Sequence, residues 1–153
     1  MVASKPVTTR VIMAPVAVTE AGELAAHCHS GCIACRSLDR GGLGLRFESL
    51  PDGSVSSTFA CDPTYQGYPD RLHGGIVATL LDAAMTHCLF AHGVHAVTAR
   101  LNIRFRHPVE IDARADVQAW VTRNASPLYE TQAELCQNGR VCVIADAKFY
   151  KPA

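Results

Sequence analysis

Between Val97 and Arg106 the chain alternates. Val97, Ala99, Leu101, Ile103 and Phe105 fall on one side, and Thr98, Arg100, Asn102, Arg104 and Arg106 on the other. A period of two predicts a half-buried strand. Downstream, ARADVQAWVTR, LYETQAELC and VCVIADAKFY are separated by the turn signals NASP and QNGR, which predicts three more strands in an antiparallel meander. Upstream, LGLRFES from Leu43, the PDG turn at Pro51 to Gly53 and SVSSTFAC predict a hairpin, and the proline-interrupted stretch from Asp62 to Leu72 predicts a loop.

The pattern changes at His73. The segment HGGIVATLLDAAMTHCLFAHG is rich in Ala and Leu, lacks proline and ends at Gly93, where a left-handed cap stops a helix. Between His73 and His92 its one formally charged side chain is Asp82. A helix apolar on every face is one that the rest of the fold wraps, so the expected architecture is α+β, a curved antiparallel sheet around one long central helix. The first 40 residues or so are less regular, with a short helix expected around Glu20 to Ala26 followed by a dense His/Cys cluster. The chain therefore divides into an N-terminal extension, 1–40, and a domain, 41–153.

Composition narrows the functional classes. At 153 residues, 48% hydrophobic and 18% charged, the chain suits a single globular domain. Lys plus Arg and Asp plus Glu each number 14, giving no basic excess for a nucleic-acid backbone or an anionic membrane. Neither is expected as a partner. Low charge instead favours self-association into a homodimer or homotetramer. Seven cysteines and an N-terminal stretch without an apolar signal core point to reduced thiols and a cytoplasmic location. The longest apolar run, Ile76 to Val94, holds Asp82, His87 and His92 and does not read as a membrane span.

Asp82 is the first candidate for chemistry, because a carboxylate on an apolar helix is costly unless it is paired or faces a cavity. Its structural reading is a hydrogen bond to Thr79 or Thr86, and its functional reading is a general base or nucleophile. Gly74 and Gly75 are poor helix formers at the helix start. They permit close approach of a ligand to the free N–H groups of the first turn, which could hold an oxyanion, or they simply let the preceding loop pack. His73 either caps the turn or takes part in the chemistry. Asp82 lies eight positions beyond Gly74, about 12 Å along a helix, so one chain cannot present both to one carbonyl. Two antiparallel helices across a two-fold axis could.

YQGYPDRLHGGIVATLLDAAMT followed by VTARLNIRFRHPV resembles the hotdog-fold acyl-CoA thioesterases of the PaaI-like and mammalian mitochondrial acyl-CoA thioesterase type, from roughly Cys32 to the C-terminus. The most specific part is HGG with an Asp nine residues after the His. The resemblance implies hydrolysis of an acyl-CoA to a free acid and CoA, without a cofactor. It assigns Asp82 the role of activating water or attacking the thioester, Gly74 the oxyanion N–H, His73 the positioning of that turn, and Thr98 the holding of the water. Many PaaI-like members carry Asn six residues before the motif His, where this chain has Gly67, and Gln66 is the available substitute. Gly67, Gln66 and Gly75 are thus candidate substrate contacts. Arg100, Asn102, Arg104 and Arg106 form either a solvated sheet face or a landing site for CoA phosphates, and of these Arg104 and Arg106 are the candidates. A hotdog dehydratase is the rival enzyme, and a non-catalytic acyl-CoA binder or zinc-stabilised module is the rival of another class.

HCHSGCIAC places His27, Cys28, His29, Cys32 and Cys35 together. Such spacing suits a tetrahedral zinc, but structural zinc sites usually draw on two separated ligand pairs. A packed, reduced thiol cluster ranks first and no metal is expected. His87, His92 and His95 offer no ligand spacing of their own.

Overall fold

The computed structural model describes residues 10–11 and 15–153, so residues 1–9 and 12–14 of the N-terminal extension lie outside the described part. Two helices, α1 (Val18–His29) and α2 (Gly74–Ala91), accompany six strands, β1 (Glu48–Ser49), β2 (Val55–Ala60), β3 (Val97–Phe105), β4 (Arg114–Ala125), β5 (Leu128–Gln137) and β6 (Arg140–Tyr150). The strands form one antiparallel sheet in the order β1-β2-β4-β5-β6-β3. β4, β5 and β6 are the expected meander, and Asn138 and Gly139, both at positive φ, make the tight turn between the last two. β3 does not join β4. It crosses to the far edge and pairs with β6.

The sheet curls around α2. Leu80, Leu81, Ala84, Met85 and Cys88 have no exposed surface, and they meet a sheet face that includes Val117, Ala119, Ala133, Leu135, Val143, Ala147 and Phe149. The alternating alanines of β4, β5 and β6 leave room for the helix backbone, while the larger residues fill between its side chains. Gly93 closes the helix. Its N–H bonds to Phe90 O and Val94 N–H reaches Leu89 O, the pair of bonds of a Schellman cap, with Gly93 at the left-handed position. This is the architecture of the hotdog fold.

Three expectations change. The strand from Leu43 shrinks to Glu48–Ser49, because Leu43, Gly44 and Leu45 donate their N–H groups back to Ile33, Arg36 and Ala34 and Gly44 adopts positive φ. These bonds, with Ala34 buried in the core, knit the N-terminal extension to the domain.

The alternation of β3 is also interrupted. Thr98 faces Phe149 and Arg100 faces Lys148, so Ala99 is an extra residue, a β-bulge. The bulge moves Thr98 from the arginine face to the inner face, beside Leu101, Ile103 and Phe105, and turns Val97 outward with Tyr150.

Nor is α2 enclosed on every side. Gly75 is exposed and Ala78, Thr79 and Asp82 are half-buried, so one flank of its first half stays open. That flank adjoins β3, whose residues are exposed or half-buried throughout, with Val97 51% and Phe105 54% accessible. The predicted half-buried strand is therefore an uncovered edge, and its apolar row is only partly shielded by its own chain.

Candidate active site

The loop before α2 is built to present the helix start. Asp62 caps a 3-10 turn over Pro63–Tyr65 by accepting from Thr64 N–H at 2.8 Å, and His73 N–H then bonds Tyr65 O at 2.9 Å. Gly67 packs closely here, since a Cβ would stand 3.1 Å from His73 Cα. His73 is the N-cap: its Nδ1 accepts from Gly75 N–H at 2.8 Å. A Cβ on Gly75 would press on that same Nδ1 at 3.0 Å. The local, capping reading of His73 thus holds, and it fixes the first turn of α2. Gly74 N–H has no acceptor among the described residues and stands at the positive end of the helix.

An open cleft of about 700 Å³ lies in front of this turn, lined by Gly67, His73, Gly74, Arg71, Phe105 and Arg106 among others. No carboxylate lines it. Two cations therefore face a cleft whose floor is apolar and whose back wall offers a free backbone donor. Of the two arginine candidates, Arg106 is at the cleft. Arg104 is not, since it lies opposite Ile144 on the outer sheet face, with Asn102, which donates to Asp146 at 2.9 Å. Gln66 is not among the residues lining the cleft. Its Oε1 accepts from Asp70 N–H at 3.0 Å and so closes the loop.

Asp82 sits two turns along the helix, on the open flank. Neither Thr79 nor Thr86 holds it. Thr79 bonds Gly75 O at 2.9 Å, and the hydroxyl of Thr98 donates to Asp82 Oδ1 at 2.7 Å. The bulge at Ala99 makes this contact possible by aiming Thr98 at the helix. Among the described residues Oδ2 has no partner, and a carboxylate oxygen with free lone pairs at a partly open surface can take a proton from water. The structure brings Asp82 to Thr98 and Gly74 to Gly67, His73 and Arg106, but it does not place these two groups in one cleft.

Tyr68, Arg71, Phe105 and His107 line the cleft and were not singled out from the sequence. The available signal was their position immediately flanking the HGG turn and the end of the predicted strand. A second cluster forms elsewhere. His87 Nε2 lies 3.1 Å from Cys35 Sγ, joining α2 to the loop after α1. Burial, with Cys32 adjacent, raises the Cys35 thiol well above its ordinary range, while burial and the nearby His29 push His87 down to about 4.

The fold is that of a hotdog protein, with an open cleft at the N-terminus of its central helix. Comparison with known proteins points to a family: residues 70–144 match the Thioesterase superfamily model. It is 37% identical over 73 residues to acyl-coenzyme A thioesterase THEM4 of Bos taurus, a match covering 46% of this chain and 30% of that protein. The chain thus spans about a third of that relative's length. Among solved structures, the E. coli PaaI protein aligns with a TM-score of 0.74 at 17% identity, covering 88% of this chain and 95% of PaaI. A hypothetical thioesterase protein with coenzyme A from Streptococcus pneumoniae aligns at 0.65 and 19% identity, covering 69% and 86%.

The capping geometry generates a direct test. Replacing His73 by Ala removes the acceptor for Gly75 N–H and should cost about 1 kcal/mol in denaturant unfolding at fixed protein concentration, with His73→Asn recovering most of it. Equal stability of the Ala and Asn variants would remove the cap from this account.

Proposed function

We propose that this chain hydrolyses acyl-CoA thioesters in a site completed by two copies of itself. Asp82 of one copy acts as general base or nucleophile, and Gly74 N–H of the other binds the oxyanion. The observation that carries the reading is the Asp82–Thr98 pair: a carboxylate with one oxygen held by a hydroxyl and the other free, on an open flank of an otherwise apolar helix.

In the general-base form, Asp82 takes a proton from water as the water oxygen bonds to the thioester carbonyl carbon. The carbonyl becomes an oxyanion on Gly74 N–H. Its collapse breaks the C–S bond, and the proton passes to the departing thiolate, giving carboxylic acid and CoA thiol. Thr98 is a positioning residue, holding Oδ1 so that Oδ2 faces the substrate. Arg106 and Arg71 at the cleft suit the phosphates of CoA, and the apolar floor suits the acyl chain. The family match and the coenzyme A held by the S. pneumoniae neighbour support the substrate class.

Two copies are required because Gly74 and Asp82 are eight residues apart on one helix, about 12 Å along its axis. The unpaired edge of β3 and the open flank of α2 lie side by side. Pairing β3 with its symmetry mate would cover both, satisfy the edge hydrogen-bonding groups and set the two helices antiparallel.

Asp82→Asn keeps the shape of the side chain while removing its basicity, so kcat on the best acyl-CoA should fall roughly 100-fold or more with KM little changed. A folded Asp82→Asn protein with near wild-type kcat would leave acyl-CoA binding without catalysis as the function. Arg106→Ala should raise KM for acyl-CoA several-fold, more at low salt than at high, whereas Arg104→Ala should not. Steady-state kinetics at two ionic strengths reads both.

A further inference from the structure

The thioesterase reading leaves the cysteine- and histidine-rich segment after α1 without a role, and the fold gives it an unexpected companion. His29 in the last turn of α1, Cys35 in the following loop and His87 in the second half of α2 each offer a ligand atom, and these atoms all lie within 4.8 Å of one another. Cys35 Sγ and His87 Nε2 are 3.1 Å apart. The Cys32 thiol is near enough to Cys35 to help raise its pKa. Nδ1 of His29 is buried with no hydrogen-bond partner.

A simple thiol–imidazole hydrogen bond accounts for one of these contacts only. It leaves the His29 nitrogen unsatisfied, a cost that a packed core avoids. It does not explain why two imidazoles and a thiol converge from three parts of the fold. The rings are also held in place. His87 stacks on Phe47 with centroids 4.4 Å apart, and both imidazoles stand edge-on to Phe90 at 5.3 and 5.4 Å.

The distances fit a tetrahedral ion. Zinc bonds of about 2.0–2.1 Å to nitrogen and about 2.3 Å to sulfur separate neighbouring ligand atoms by roughly 3.3–3.8 Å. The three atoms of His29, Cys35 and His87 need to close by little more than an ångström at their widest, and Cys32, three residues before Cys35, has to turn in to complete the tetrahedron. Mixed imidazole and thiolate donors select zinc over magnesium or calcium, which take oxygen.

We propose that His29, Cys35 and His87, with Cys32 as fourth ligand, form a structural zinc site that clamps α1 and its following loop onto α2. This reverses the ranking that local spacing gave. The second half of the ligand set, which HCHSGCIAC lacks on its own, is supplied by His87, 52 positions beyond Cys35. His27 and Cys28 are not part of the set.

The site is remote from the Gly74 cleft in composition, sharing none of its lining residues, so the test does not depend on thioesterase activity. The 153-residue chain, kept reduced, is saturated with zinc chloride, dialysed and analysed for metal. About one zinc per chain is expected, and below about half a zinc per chain would overturn the proposal. Cys35→Ser and His29→Gln should each lose most of the metal, while Cys136→Ser, away from the cluster, should keep it. Undiminished zinc in both site variants would overturn it equally. Because Cys35→Ser could fail to fold, cobalt substitution of the wild type gives a second readout. Thiolate-to-cobalt charge-transfer absorption is expected, and its absence from cobalt-loaded protein would contradict thiolate ligation.

Discussion

An apolar helix that carries one carboxylate sets the terms for this structure. Burying Leu80, Leu81, Met85 and Cys88 requires a sheet that curls around α2 and keeps small residues where the helix passes closest. Yet the same helix must leave Asp82 in reach of a partner and of water, since complete enclosure of an unpaired carboxylate would cost several kcal/mol. The fold meets both demands by leaving one flank of α2 open beside the edge strand. A β-bulge at Ala99 then turns the Thr98 hydroxyl toward Asp82.

The helix start is governed by a related constraint. Free N–H groups at the N-terminus of α2 must find acceptors, and His73 satisfies one while the Gly67 and Gly75 positions let the loop close around it. Gly74 N–H is left facing a cleft bordered by Arg71 and Arg106. The donor and the carboxylate are fixed on one rigid element, so their separation cannot be closed by side-chain motion. A second copy can close it, and the uncovered β3 edge is where such a copy would add least strain and cover most unpaired backbone.

Much of this was legible in the residue pattern, and the failures have physical causes. The long helix, its Gly93 terminator and the β4–β5–β6 meander follow from apolar periodicity and turn residues, which are local signals. Gly74, His73 and Asp82 stood out because an HGG turn and a lone acid are unusual on an apolar helix, whereas Thr98 came from the family resemblance alone. What alternation could not show is a bulge, because one extra residue inverts a face without altering composition. It also could not show that Leu43–Leu45 would bond back to the Ile33–Arg36 segment, or that β3 would cross to β6 and become an edge. Gln66 and Arg104 were placed by proximity in sequence; Gln66 Oε1 serves the loop through Asp70 N–H, and the register of β3 puts Arg104 on the outer sheet face. The His87–Cys35 contact spans 52 positions and has no local signature.

Subunit complementation tests the shared site most directly. Gly74→Pro removes the donor N–H at the first helical position, where proline is well tolerated, and His73 already has the extended backbone, φ −60° and ψ 132°, that a following proline requires. Gly74→Pro and Asp82→Asn chains would each be inactive alone. Co-expressed and randomly mixed, half the dimers are mixed and each carries one intact site, so activity should return to about a quarter of wild type. Mixed dimers with no activity above the separate variants would contradict a site built from Asp82 of one chain and Gly74 of the other.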